Sequence, residues 1–181
     1  MSTPTTKRTR KLNVKAICFC AVFAAMICVC TLISVPLPIG YFNLGDIAVL
    51  LSSYLLGPVY GMISAAIGSA LADIFSSYVI YAPGTAIIKA LMALVAALIY
   101  KSLKKPISKP AVDFIPRVIS AIVSECVMVC GYFLYESLIL GYGMGAAASI
   151  PGNTLQAVCG VIGATALMTA IKATKADRLF K

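Results

Sequence analysis

The sequence has no histidine and no tryptophan, and only six acidic residues in 181. Without histidine there is no Ser-His or Cys-His pair for nucleophilic catalysis and no mixed Cys/His zinc site. Seven cysteines stand at 18, 20, 28, 30, 126, 130 and 159, all within apolar runs and none in a CxxC pair. They read as small apolar packing residues, with Cys126 and Cys130 on one helical face. No GxxxxGK[ST] loop occurs, so the chain does not itself hydrolyse ATP through a P-loop. Charge is also scarce, at 12% of residues. Asp73 and Glu125 are the carboxylates an embedded enzyme would use, yet nothing in their spacing specifies such a pair. An enzyme, a metal and a cofactor are therefore not expected.

What the sequence has in excess is apolar character: 61% of residues, with a mean hydropathy of +0.98. A soluble domain is roughly 45–50% apolar. A domain of this size cannot hide the surplus in one water-soluble core, so lipid must take it up. At roughly 20 residues per crossing the chain has room for about six transmembrane helices and no separate soluble domain. The expected fold is an all-α integral membrane protein, a six-helix bundle. A basic tail covers 1–13, one membrane domain covers 14–174, and a second basic tail covers 175–181.

Six apolar segments can be traced. They run from about Val14 to Val35, Asp46 to Leu56, Val59 to Phe75, Thr85 to Leu103, Phe114 to Glu136 and Asn153 to Ala173. The first is longer than a signal-peptide core and is followed by further spans, so it reads as a retained helix. The second is short for a crossing, which suggests tilt or a thinned bilayer. Gly57-Pro58 marks a tight turn, and Pro116 fits the first turn of the fifth segment.

Fifteen Lys and Arg give a net charge of +9. They lie outside the apolar runs, which indicates membrane topology rather than nucleic-acid binding. The loops near 36–46, 76–84 and 141–152 contain no Lys or Arg. The positive-inside rule then places both termini and the 101–113 linker in the cytoplasm. Asp113 and Asp177 read as surface charges at that side. Small residues at four-residue spacing (Gly57, Gly61, Ala65, Ser69; Gly68, Ala72; Gly160, Ala164) let helices approach closely in lipid. Ala21 and Ala25 form a further pair on the first helix.

One base breaks the pattern. Lys89 lies early in the fourth segment, in the outer half by this topology, where an ammonium costs several kcal/mol unless paired. Asp73, Glu125, Asp46 and Glu136 are its possible partners. Asn43, Tyr78, Tyr81, Tyr132, Asn153 and Gln156 add polar groups around it. Glu125 and Tyr132, seven apart, share a helical face, as do Asn153 and Gln156, three apart. Donors, acceptors and aromatic faces together suit a heteroaromatic or polyhydroxylated ligand.

Gly45-Asp46, Leu56-Gly57-Pro58, Gly68-Ser69-Ala70-Leu71-Ala72-Asp73 and the run Tyr78 to Lys89 together resemble the S components of energy-coupling factor vitamin transporters. Glu125, Tyr132 and the stretch Pro151-Gly152-Asn153 to Gln156 extend the likeness, which is nearest the branch of riboflavin and hydroxymethylpyrimidine carriers. The resemblance implies six helices in a prokaryotic cell membrane and an outward ligand site under a first-loop lid. It also implies a membrane coupling protein with two ATP-binding cassette ATPases as partners, and a first-helix docking motif that Ala21 and Ala25 match. On this reading Lys89, Glu125, Asn153, Gln156, Tyr132, Asp73, Tyr81 and Asn43 bind the substrate. The segment from Asn43 to Ala48 departs from the riboflavin-type pattern and favours a smaller ring, such as hydroxymethylpyrimidine or a pyridoxine-type vitamer. A self-contained channel or secondary transporter is the competing reading.

Overall fold

The structure is a computed structural model that describes residues 14–36, 41–104 and 113–180. The 1–13 tail and most of the basic linker after Lys104 lie outside the described residues. Five helical runs are long and apolar enough to cross a membrane. Helix α1 covers Val14–Leu32, α2 Gly45–Phe75, α3 Ala82–Leu103, α4 Phe114–Leu134 and α5 Ile150–Ala173. A π-helical turn, Tyr135–Ile139, prolongs α4, and a 3-10 segment, Gly143–Ser149, leads into α5. Pro83 and Pro151 occupy the first turns of α3 and α5, where a missing N–H costs nothing.

The first apolar segment ends earlier than expected, at Leu32 rather than Val35. Two short strands follow, β1 at Ser34–Pro36 and β2 at Tyr41–Asn43, paired antiparallel with Val35 opposite Phe42. The bundle itself is helical, and the two strands belong to the connection between α1 and α2.

Helix α2 is broken at Gly57, whose φ of 80° and ψ of −175° lie outside helical space. Only glycine adopts such a backbone without penalty, and Pro58 then restarts the helix with its fixed φ. The two limbs, 45–56 and 58–75, fold back on each other. A Cβ on Gly61 would fall 2.9 Å from Ser53 Cα, a contact a straight helix cannot make. Gly57 itself meets nothing and belongs to the turn, not to the packing stripe.

Limb 45–56 is the centre of the molecule. Gly45, Asp46 and every residue from Ala48 to Tyr54 are buried, so neighbours enclose it on all faces. Ser52 and Ser53 donate their hydroxyls to the Val49 carbonyl, leaving no bare polar group in this position. Its own Val49 and Leu50 form the core together with Ile27, Met92, Ala93, Ala96, Ala121, Met128 and Ala164 from the surrounding helices. Outward faces carry Val22, Ile67, Ile87, Leu98, Ile122 and Ile162, as a lipid-facing surface requires.

One end of the bundle gathers the bases. Arg117, only 1% exposed, donates from Nε to the Asp113 carbonyl at 3.0 Å and from Nη1 to Thr169 Oγ1 at 2.9 Å. Lys172 pairs with the Asp113 carboxylate, and Tyr100 donates its hydroxyl to both Asp113 oxygens at 3.0 Å. Asp113 is therefore the anchor of a network rather than a surface charge. Tyr54 donates to the Arg117 carbonyl at 3.0 Å, which ties limb 45–56 to this end. The closing 3-10 segment, Ala176–Phe180, folds beneath the bundle, with the Phe180 ring centroid 4.7 Å from that of Phe19.

Helix α1 meets α2 at Gly68, where a Cβ would run into the Ala24 carbonyl and the Ile27 side chain. Gly68→Val should cost about 1–3 kcal/mol by overpacking. Gly145→Ala, at a site open on all sides, should fall within about 0.5 kcal/mol of the parent. Thermal unfolding of the purified variants in detergent checks both; equal midpoints would contradict the close approach.

Candidate binding cavity

Limb 45–56 has 12 residues and so rises only about 18 Å, against roughly 30 Å of bilayer hydrocarbon. Its far end is fixed by Tyr54 at the basic end. Its near end, Asp46, therefore lies inside the bundle, level with Lys89, Glu125 and Gly160 in the interiors of α3, α4 and α5. The limb is short because the helix starts within the bundle. The space above that start is a cavity of about 350 Å³, opening at the end opposite the bases.

The floor is a buried polar chain. Lys89, 4% exposed, forms an ion pair with Asp46, 1% exposed. Gln156 Nε2 donates to the second Asp46 oxygen at 2.5 Å. Asn43 Nδ2 in turn donates to Gln156 Oε1 at 2.7 Å, and Asn43 Oδ1 accepts from the Gly45 N–H at 2.9 Å. The strand β2 is thereby pinned to α5 and to the start of α2. The Lys89 ammonium also lies 5.5 Å from the Tyr132 ring centroid, and Tyr132 donates to Thr85 Oγ1 at 3.2 Å. Burying an ion pair is tolerable only with such additional bonds.

Glu125 is the exception. It is buried, and neither carboxylate oxygen has a hydrogen-bond partner among the described residues. It sits against Gly160, where any Cβ would collide with Glu125 Oε1 and approach Asp46 Cβ to 3.2 Å. Glu125 thus lies beside Asp46, and the ion pair of Lys89 is with Asp46 alone among the described residues.

The walls are polar and aromatic. Asn43, Asp73, Tyr81, Tyr132, Asn153 and Gln156 line the cavity. Lys89 and Glu125 do not: they lie beneath it, reaching the lining only through Asp46, Gln156 and Tyr132. Asp73 Oδ2 is buried without a hydrogen-bond partner, and Glu136 accepts from Ser149 Oγ at 2.6 Å. The Tyr81 ring meets Tyr78 edge-on at 6.2 Å between centroids and Tyr135 in a tilted contact at 6.3 Å. Burial and the neighbouring Glu136 carboxylate push the Tyr81 phenol up, so it remains a donor.

Sequence reasoning missed Thr31, Ser34, Ser76, Thr85 and Ser149 on the walls. Hydroxyls within apolar runs carry no signal of the face they occupy. It also left Asp46 as one of four possible partners for Lys89. Helix-end position suggested an interfacial residue, and only the depth of limb 45–56 makes it the buried one.

The architecture is that of a multi-pass helical membrane protein with a polar cavity at one end. A family model described as the ECF-type riboflavin transporter, S component, matches residues 11–173, and the chain belongs to that family. Its S components bind vitamins and work with a module of membrane and ATPase subunits; the family is one of transporter components, not enzymes. A protein of Pyrococcus woesei, described as an uncharacterized protein in a gap 3' region, is 32% identical over 133 residues. The match covers 72% of this chain and 83% of that relative.

Removing one partner of the floor pair strands a buried charge. Asp46→Ala should destabilise the protein by about 3–5 kcal/mol, whereas the double variant Asp46→Leu with Lys89→Met should recover most of that loss. Thermal unfolding of the purified proteins decides it; a double variant no better than the single one would show that the pair is not the element at stake.

Proposed function

We propose that this chain is the substrate-binding subunit of a vitamin importer, with its cavity open to the outside of the cell membrane. The observation that carries the reading is a 350 Å³ polar, aromatic-walled cavity in a chain of the riboflavin-transporter S-component family. Its volume lies at the lower end of the roughly 300–1,000 Å³ of small-molecule sites. Riboflavin, which the family's description names, is the first candidate cargo. A hydroxymethylpyrimidine- or pyridoxine-type ring is the second, favoured by the Asn43 to Ala48 stretch. There Asn43 is already committed to Gln156 and the Gly45 N–H.

In this reading six helical segments cross, the two limbs of α2 counting separately, and both termini are cytoplasmic. The short limb 45–56 needs no lipid match because other helices enclose it. Asn43, Asp73, Tyr81, Tyr132, Asn153 and Gln156 contact the ligand. Lys89 and Glu125 act from below, by holding Asp46, Gln156 and Tyr132 in place. Ala21 and Ala25 are exposed on α1, four residues apart, so internal packing does not use them. They are free to dock a membrane coupling protein served by two ATP-binding cassette ATPases.

The test is purification in lipid nanodiscs, identification of retained ligand by mass spectrometry, and calorimetric titration with riboflavin, pyridoxine and hydroxymethylpyrimidine. Saturable binding of one of them is expected, and binding of none would remove the capture role. Asn153→Ala and Lys89→Ala should each weaken that binding by about tenfold or more, the loss of one or two buried polar interactions. Ala21→Leu together with Ala25→Leu should stop ATP-driven uptake and leave binding unchanged. Uptake by vesicles holding this chain alone would favour a self-contained transporter instead.

A further inference from the structure

The basic end carries more positive charge than its own network uses. Among the described residues, Lys15, Lys101, Lys104, Lys175 and Arg178 are exposed there. The acids of that end are already engaged: Asp113 is held by Lys172 and Tyr100, and Asp177 acts electrostatically on Tyr100.

Three of these bases are brought to one apolar contact. Lys15 stands one turn before Phe19 on the same face of α1, because residues four apart are neighbours on a helix. The Phe180 ring rests on Phe19 at 4.7 Å and on Phe23 at 5.8 Å between centroids. Lys175, with a φ of 60°, turns the chain back after α5, and the closing segment then carries Arg178 toward the same contact. None of the three bases forms an ion pair among the described residues.

The patch also lies at the height of the bilayer surface. The 19 residues of α1 rise about 29 Å, against roughly 30 Å of hydrocarbon, so its first turn reaches the headgroups. There Val14 and Ile17, 69% and 43% exposed, flank Lys15, and Leu179, 63% exposed, follows Arg178. A lipid meets both needs at once. Its chains cover the apolar side chains, and its headgroup offers a negative charge beside the bases.

We propose that Lys15, Lys175 and Arg178 form a binding site for the headgroup of an anionic phospholipid, which fastens the closing segment to the start of α1. The site lies at the end opposite the cavity and is independent of the capture role.

The test uses the purified full chain in detergent. Native mass spectrometry measures the binding of phosphatidylglycerol and of phosphatidylcholine with the same acyl chains. Three bases should favour the anionic lipid by on the order of a hundredfold. Added ammonium acetate should narrow that preference by screening. Lys175→Gln with Arg178→Gln should cut it by roughly thirtyfold. The charge-matched pair Lys101→Gln with Lys104→Gln should leave most of it. Phosphatidylglycerol should raise the thermal unfolding midpoint of the parent but not of the first variant; an unchanged parent midpoint would overturn the fastening. Equal affinity for the two lipids in the parent overturns the site whatever the variants do, even if a variant fails to fold. Equal losses from the two charge-matched pairs would make the preference one of net charge and overturn the site as well. Glycerol phosphate, the headgroup without chains, should not displace the bound lipid at equal concentration. Displacement would mark a site for soluble anions and overturn the lipid assignment.

Discussion

The ion pair between Lys89 and Asp46 is the interaction on which the rest of the structure depends. An ammonium within a lipid-embedded bundle is stable only beside a fixed counter-charge with its remaining bonds satisfied. Asp46 supplies the counter-charge because limb 45–56 begins there, at depth. The same early start removes the turns of helix that would have filled the space above. One feature of the chain, a 12-residue limb between a polar loop and Gly57, therefore both places the charge and creates the cavity. The loop has to descend to meet the limb, which is how Asn43 on β2 comes to touch Gln156 on α5.

The two ends of the bundle divide their labour by charge. At the basic end Arg117, Lys172, Asp113, Tyr100 and Tyr54 satisfy one another, and the closing segment seats Phe180 on Phe19 and Phe23. That end is tied together by long-range bonds and is the fixed reference for limb 45–56. At the cavity end polar atoms remain without partners, on Asp73 and Glu125. Unsatisfied buried polar groups cost about 1–3 kcal/mol each. The carboxylate oxygens without partners all lie there, and the other buried side-chain atoms without one among the described residues are the neutral hydroxyls of Ser69 and Thr165.

Much of this arrangement was legible in the residues, and the reasons differ from case to case. Apolar runs and base-free loops are composition effects, so the multi-pass membrane character and the singularity of Lys89 could be read directly, while the six expected segments meet five helices long enough to cross. Gly57-Pro58 announced a turn because that dipeptide fits a positive φ followed by a helix start. Asn153 with Gln156 obeyed helical spacing, and both line the cavity. The partner of Lys89 was not legible, since four acids far apart in sequence were equivalent until the limb's depth was known. The two three-residue strands were too short to show alternation. The seating of Phe180 on α1 is a contact across most of the chain, which no local pattern encodes.

The placement of the acids relative to their helices gives a final reason to connect the cavity with a ligand. Asp46 stands in the first turn of α2, where the helix dipole favours a negative charge by about 0.3–1 kcal/mol. Its position is stabilising even in the empty protein. Asp73 stands two residues before the end of α2, and Glu136 just beyond the end of α4, where the dipole opposes a carboxylate. Neither gains an ion pair there among the described residues, and Asp73 Oδ2 gains no hydrogen bond. The fold would be better served by neutral side chains at both positions. Departures of this kind from local preference belong where a protein meets its partner molecule. A donor-bearing solute entering the cavity would supply the bond that Asp73 Oδ2 lacks.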